Sequence, residues 1–378
     1  MNGISRETGW STAWPARGPK VLWKASVGTG FSAFAVAAGR VYTLGNQAEQ
    51  ETVFCFDAGT GASVWRHTYA CELDPRYYEG GPSSTPTVDG ERVYTLSRKG
   101  HLHCLDAAKG NVIWVKLLNE ELGLKQYKTH TPEWGYAGSP LVLGDKLIVN
   151  VGTAGTALDK KTGRVLWRTG DTYPGYSTPV PMTTGEETVL VVFGANAVMV
   201  VGLADGSKVW EYPWETSYDV NAADPIISGN KIFISSGYGH GCALLELNGK
   251  KVTKLWENKH MRNQLNSSVL WEGHLYGLDG DSGNRGSKLH CLEFATGQLK
   301  WSEASLRPGG LMAADGKLIV LGDSGELVVA EANPAAFKPL ARAQVLGGKC
   351  WTVPVLSGGR IYCRNVRGDV VCLDVSSH

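Results

Sequence analysis

The sequence predicts an all-β protein built from repeats, and three observations predict it. A short phrase ending in tryptophan recurs along the chain, most clearly as ALDKKTGRVLW, Ala157 to Trp167. Between the copies lie short apolar or alternating runs parted by glycine-bearing turns, with almost no helical periodicity. The 48 glycines and 13 tryptophans among 378 residues suit many tight turns and one large aromatic per repeat.

The phrase returns as CFDAGTGASVW (Cys55 to Trp65), CLDAAKGNVIW (Cys104 to Trp114) and CLEFATGQLKW (Cys291 to Trp301). Looser copies are VGLADGSKVW, ending at Trp210, and LELNGKKVTKLW, ending at Trp256. The intervals between these tryptophans match the ~40–50-residue period of stacked repeats. Each copy reads as a hairpin. An apolar strand ends at an acid such as Asp57, Asp106, Asp159 or Glu293, where a turn begins. A glycine (Gly61, Gly110, Gly163, Gly206 or Gly297) takes a left-handed turn position, and a second strand carries the tryptophan.

The phrase resembles the tryptophan-docking motif of the PQQ-like, quinoprotein-type β-propeller repeat. That family includes PQQ-dependent alcohol dehydrogenases and cofactor-free relatives such as the propeller lipoprotein of the outer-membrane β-barrel assembly machinery. The resemblance covers nearly the whole chain. It implies that Trp23, Trp65, Trp114, Trp167, Trp210, Trp256 and Trp301 are structural, each docking between neighbouring blades.

Taken in order, residues 1–18 read as an irregular arm and residues 19–378 as a single eight-bladed propeller. PKVLWKAS (Pro19 to Ser26) is a tryptophan strand with no hairpin before it, and DVVCLD (Asp369 to Asp374) is a strand with no tryptophan strand after it. Each completes the other, so the N-terminal strand is expected to close the last blade and remove the open edge. Blade one runs FSAFAVAAG, RVYTLG, TVFCFD, ASVWRH; blade two SSTPTVDG, RVYTLS, HLHCLD, NVIWVK; blade three GSPLVLG, KLIVNV, TALD, RVLWRT. Blade four runs STPVPMT, TVLVVFG, AVMVVGL, SKVWEY; blade five DPIISG, KIFISS, CALLEL, VTKLWE; blade six NSSVLWEG, HLYGLD, KLHCLE, QLKWSE. Blade seven runs GGLMAADG, KLIVLG, ELVVAE and PLARAQV, which lacks a tryptophan; blade eight runs WTVPVLSGG, RIYCRN, DVVCLD and borrows PKVLWKA. The one helical candidate is NEELGLKQYK (Asn119 to Lys128).

Composition narrows the function. The net charge of +1, without a basic patch, argues against nucleic acid, and no apolar run is long enough for a membrane span. MNGISRETGW carries no signal-peptide core. It resembles the interior of an N-terminal segment in exported bacterial members of the family. That implies a preceding leader in the full-length protein and a periplasmic or secreted location. Cys55, Cys104, Cys291 and Cys372 share a repeat slot that elsewhere holds Ala157 or Val200, so they read as small buried side chains. A Cys71–Cys350 disulfide is left open.

The loops leading into the innermost strands would form a funnel, and loops of this kind concentrate binding residues. They supply Arg76, Tyr77, Tyr78 and Glu79; Glu133, Trp134 and Tyr136; Tyr173 and Tyr176; Tyr218, Asn221 and Asp224; Arg262, Asn263, Gln264 and Asn266; Lys349 and Trp351. The ligand-binding candidates are Tyr78, Glu79, Trp134, Tyr136, Tyr176, Asn221, Arg262, Asn263, Asn266 and Trp351. The expected function is a non-catalytic, exported scaffold that recognises a protein or small ligand through its funnel, with no cofactor. One alternative, implied by the resemblance, is a PQQ- and calcium-dependent alcohol or sugar dehydrogenase, for which Arg262, Asn263, Asn266, Glu79 and Asp224 are the available groups. The other is a carbohydrate-binding propeller, suggested by the tyrosines and tryptophans. No metal site is expected. LDGDSGNRG (Leu278 to Gly286) places Gly283 and His290 where a calcium loop needs ligands. His101 and His103 lie on one strand face, but His103 shares its slot with Phe54 and Val371. GYGHG lacks a strand-to-helix setting, and no GxSxG, HExxH or Walker sequence occurs.

Overall fold

Eight sheets, each with a core of four antiparallel strands, make up the computed structural model. The structure describes residues 2–124, 132–185, 187–249, 251–281, 286–307 and 309–377. The sheets are the blades of a single β-propeller. Lys20–Ser26 pairs antiparallel with Asp369–Asp374, so the N-terminal strand completes blade eight. Innermost strands are short: Ala35–Ala37 in blade one, Thr87–Asp89 in blade two, Val355–Leu356 in blade eight. Part of several segments expected there is loop; in FSAFAVAAG residues 31–34 precede the strand. The expected helix is a single turn, Leu118–Glu121, and residues 125–128 of that segment lie outside the described residues.

One contact repeats around the ring. The turn after each acid folds onto the acid itself: Asp57 Oδ1 accepts the Gly59 and Thr60 N–H groups and the Thr60 hydroxyl, and Asp159 does the same for Lys161 and Thr162. The turn thereby presents one carbonyl and one bare glycine to the preceding blade. Trp65 Nε1 donates to Ala107 O (3.0 Å), Trp114 to Lys160 O (3.3 Å), Trp167 to Leu203 O (3.1 Å), Trp256 to Phe294 O (3.0 Å) and Trp301 to Asn333 O (2.8 Å). Trp23 of blade eight donates to Ala58 O of blade one (3.1 Å), which closes the circle. The ring lies flat on the glycine. A Cβ on Gly110 would sit 2.5 Å from Trp65, and one on Gly206 2.5 Å from Trp167. Both glycines also have φ near +72°, so two independent constraints exclude a side chain.

Blade seven lacks this tryptophan, and the arm seals its seam with blade eight instead. Trp10 is buried among Met312, Ile319, Leu356 and Ile361, and Trp14 packs against the same cluster. Glu7 accepts the N–H groups of Gly358 and Gly359. Ahead of that clamp, Ile4–Ser5 forms a fifth, parallel strand on the channel side of blade seven.

All eight cysteines are buried and free, so the Cys71–Cys350 pairing left open by the sequence does not form. Burial pushes the thiols of Cys55 and Cys291 up to about 11. His103 packs its ring on Tyr69 (4.3 Å between centroids) and His67 (5.0 Å), and burial pulls its pKa down to about 3. Among the described residues no group of three His, Cys, Asp or Glu side chains converges as a metal site. Gly283, in the rejected calcium loop, lies outside the described residues. Asp279 is engaged by Arg262. No helix among the described residues is long and apolar enough to cross a membrane.

Trp167→Ala is expected to destabilise the protein by about 3–5 kcal/mol, because it removes a large buried ring and a hydrogen bond at once. Thermal denaturation measures this, and a midpoint equal to that of the parent would contradict the contact's role. Trp10→Ala should lower the midpoint comparably, since it opens the one seam that the repeat tryptophans do not serve.

Candidate functional site

The inner strands enclose a cavity of about 880 Å³ along the ring axis. Its wall begins with a girdle of hydrogen bonds at the entrance to the inner strands. Thr85 N donates to Ser139 Oγ (2.9 Å), Ser139 N to Thr178 Oγ1 (3.1 Å), Thr178 N to Asp224 Oδ1 (2.7 Å) and Asp224 N to Ser267 Oγ (2.7 Å). Each side chain thus caps the backbone of the blade before it, from blade two to blade six. Blade seven has Gly309 and Gly310 at this level, and a Cβ on Gly310 would lie 2.5 Å from the Val353 backbone. There Asn266 bridges instead, donating to Gly309 O (2.6 Å) and Trp351 O (3.0 Å).

An aromatic arc stands above the girdle. Trp351 stacks on Phe31 (5.9 Å between centroids, 26° between planes), Phe31 meets Tyr78 (5.6 Å), and Tyr78 and Tyr77 both meet Trp134 (6.0 and 5.5 Å). Four blade entrances therefore contribute to one continuous ring surface. Tyr78 is fixed by donating to Trp134 O (3.0 Å) and accepting from buried Arg98 (3.1 Å). Lys349 lies 4.2 Å from the Trp351 ring centre and pairs with Glu79 (2.6 Å), tying blade eight to the loop before blade two. Tyr77 is 86% exposed, although it is large and aromatic. The Trp134 and Trp351 indole N–H groups are buried and meet no acceptor among the described residues.

Of the ten candidates, Tyr78, Trp134, Tyr176, Asn266 and Trp351 line the cavity. Glu79 sits at the rim in its ion pair. The other four lie beneath the mouth. Asn221 donates to Gly194 O and Ala195 O and accepts from Ser236 Oγ. Asn263 donates to Leu278 O and accepts from Ser268 Oγ. Tyr136 donates to Asn119 Oδ1 (2.6 Å), and Arg262 makes a two-pronged bond to Asp279 (2.9 and 2.6 Å). The sequence reading missed Phe31, the girdle hydroxyls, and the apolar floor of Val269, Leu311 and Met312. A small polar residue just before proline, as in Thr85-Pro86, Ser139-Pro140, Thr178-Pro179 and Asp224-Pro225, was the available signal.

The charge of the site limits its ligand. No Lys or Arg is among the described residues that line the cavity, and Asp224 is its one acid. PQQ carries three carboxylates and needs cations around them, while a bound calcium needs several oxygen donors of its own. The described lining residues do not fit that pair. The wall is aromatic at the mouth, hydroxyl-bearing in the middle and apolar at the floor.

A family described as outer membrane protein assembly factor BamB matches residues 49–303. BamB of Yersinia pestis is 22% identical over 385 aligned positions, covering 93% of this chain and 88% of that protein. BamB of Legionella pneumophila (strain Paris) is 26% identical over 204 positions, and that of Marinobacter adhaerens 23% over 159. The chain spans 49% and 36% of the length of these last two. Among solved structures, BamB from Moraxella catarrhalis superposes with a TM-score of 0.64 at 15% identity, covering 94% of this chain and 99% of that one. Quinohemoprotein alcohol dehydrogenase from Comamonas testosteroni gives 0.70 at 14%, covering 100% and 79%. At such identities the likeness is one of fold.

Burial raises the Asp224 pKa above the ordinary carboxylate value, and the Thr178 N–H only partly offsets it. The folded protein therefore holds this proton more tightly than the unfolded chain. The associated stability is greatest below the ordinary pKa and is lost as pH rises through the raised one. Asp224→Asn keeps an acceptor for Thr178 and should remove that slope. Its melting midpoint should gain on the parent's as pH rises above about 4; parallel profiles would contradict the assignment.

Proposed function

The chain belongs to the family of outer membrane protein assembly factor BamB, and from that membership we propose that it is a non-catalytic, exported scaffold that binds polypeptide at its aromatic mouth. The observation that carries this reading is the arc from Trp351 through Phe31 and Tyr78 to Trp134, with Tyr77 exposed at its end. Aromatic side chains in a rigid frame are the usual anchors of protein interfaces, because they bury much area at small entropic cost. The two indole N–H groups without acceptors would suit main-chain carbonyls. Among the described residues the cavity lining holds no histidine, and the girdle side chains of Ser139, Thr178, Asp224 and Ser267 each accept a backbone N–H.

The family name supports a role in the assembly of outer membrane proteins and a periplasmic location. The dehydrogenase reading, which rested on resemblance, finds no support in a cavity wall that has no Lys or Arg among the described residues.

The test is binding of a fluorescently labelled outer-membrane β-barrel polypeptide, held unfolded in dilute urea, followed by anisotropy. Tyr77→Ala and Trp351→Ala together should weaken binding about tenfold or more, the scale of an interface hot spot. Tyr77→Ala alone should weaken it without moving the melting midpoint. Unchanged affinity in both variants would contradict the proposal. So would saturable binding of PQQ with calcium accompanied by dye-linked alcohol oxidation.

A further inference from the structure

The inner strands of blades two, three, four, five and eight are each entered through a proline: Pro86, Pro140, Pro179, Pro225 and Pro354. Proline offers no N–H, so it keeps a sheet edge from recruiting another strand. Blades one, six and seven have no proline directly before the inner strand, and of these three blade seven has the longest. Its inner strand, Gly310–Ala314, is Gly-Leu-Met-Ala-Ala and runs five residues, against three in blades one, two, three, five and six and two in blade eight. Blade four is as long but carries a second proline within the strand, at Pro181. Blade seven is also where the girdle of side-chain caps lapses into glycine.

That edge is occupied. Ile4 registers with Ala313 and Ser5 with Ala314, in parallel, and Ala313 N donates to Gly3 O (2.9 Å). Ile4 packs against the apolar cluster of Val269, Leu311 and Trp271. A Cβ on Gly3 would fall 2.8 Å from Val269 Cγ1, and Gly3 has φ +68°, so the position before the isoleucine selects glycine. Two register pairs hold these residues, whereas the clamp at Glu7 and the buried Trp10 hold the chain behind them. Asn2 to Ser5 also form part of the cavity floor.

We infer that the channel edge of blade seven is a strand-accepting site for an extended polypeptide, and that residues 2–5 are its resident occupant. When they withdraw, the Ala313 N–H and the apolar groove beside Val269 open to an incoming segment of the same pattern, a glycine followed by a branched apolar residue, lying parallel to Gly310–Ala314. The identity of the incoming partner rests on the polypeptide-binding reading above; the existence of the site does not.

The experiment is hydrogen exchange at the Ala313 amide, in the full chain and in a variant lacking residues 2–6 that keeps Glu7 and Trp10. Exchange should be at least tenfold faster in the variant. A capped synthetic peptide, Asn-Gly-Ile-Ser-Arg, at millimolar concentration should slow it again, and the same peptide with aspartate for isoleucine should not. If the shortened chain melts low, full-length Ile4→Asp replaces it and should show the same acceleration. Equal exchange in variant and parent, or no slowing by the peptide, overturns the inference. An unfolded barrel polypeptide is then added to the shortened chain. Slowing by the peptide but not by the polypeptide upholds the site and counts against the partner.

Discussion

The fold depends on one contact, made in full at five seams: the indole of Trp23, Trp65, Trp114, Trp167 or Trp256 lies on the glycine of the next blade, with its N–H on the carbonyl three residues before that glycine. The contact sets the spacing between sheets, because ring and bare backbone can approach only to one distance. It is directional, running always from one blade to the following one, so a chain that repeats it must curve and close. Closure falls to Trp23, which reaches Ala58 and Gly61 from the far end of the sequence. Arg364 reinforces that seam from inside. It is buried without a carboxylate partner and donates to Ser32 O, Leu44 O, Gly28 O and the Thr43 hydroxyl. Burial lowers its pKa, and these acceptors from the first blade and its approach compensate.

Where the contact is missing, the molecule shows what the contact supplies. Blade seven ends in PLARAQ, with no tryptophan, and its seam with blade eight is filled by Trp10 and Trp14 from the arm. Gly18 lies against Ala343, where a Cβ would come within 2.5 Å. The arm that fills this gap also carries Ile4 into the channel. The irregular blade, the arm and the shape of the cavity floor are thus one structural fact.

The repeat was legible because its physics is local: acid, turn, glycine and tryptophan lie within one hairpin, and each copy makes the same statement. The mouth was half legible. Tyr78, Trp134, Tyr176, Asn266 and Trp351 reach the cavity, as loop position suggested. Asn221 and Asn263 lie in similar loops but turn inward, because unpaired strand-end carbonyls at Gly194, Ala195 and Leu278 take their amides. No sequence shows where those carbonyls lie. Phe31 was hidden inside FSAFAVAAG, which reads as a strand but begins as channel-wall loop. The parallel pairing of Ile4–Ser5 is two residues long and leaves no periodic trace.

The account's central claim is that the ring exists to present its aromatic mouth to a polypeptide. The outer edges of the blades offer a rival surface, since Val112, Ile113 and Val115 of blade two are exposed there, Val115 to 49%. Site-specific photo-cross-linking separates the two most directly, with a photoreactive residue placed at position 77 or at position 115 and an unfolded barrel polypeptide as the target. The account predicts cross-links from position 77 and few from position 115. Cross-links concentrated at position 115 would contradict it and move recognition to the blade edges.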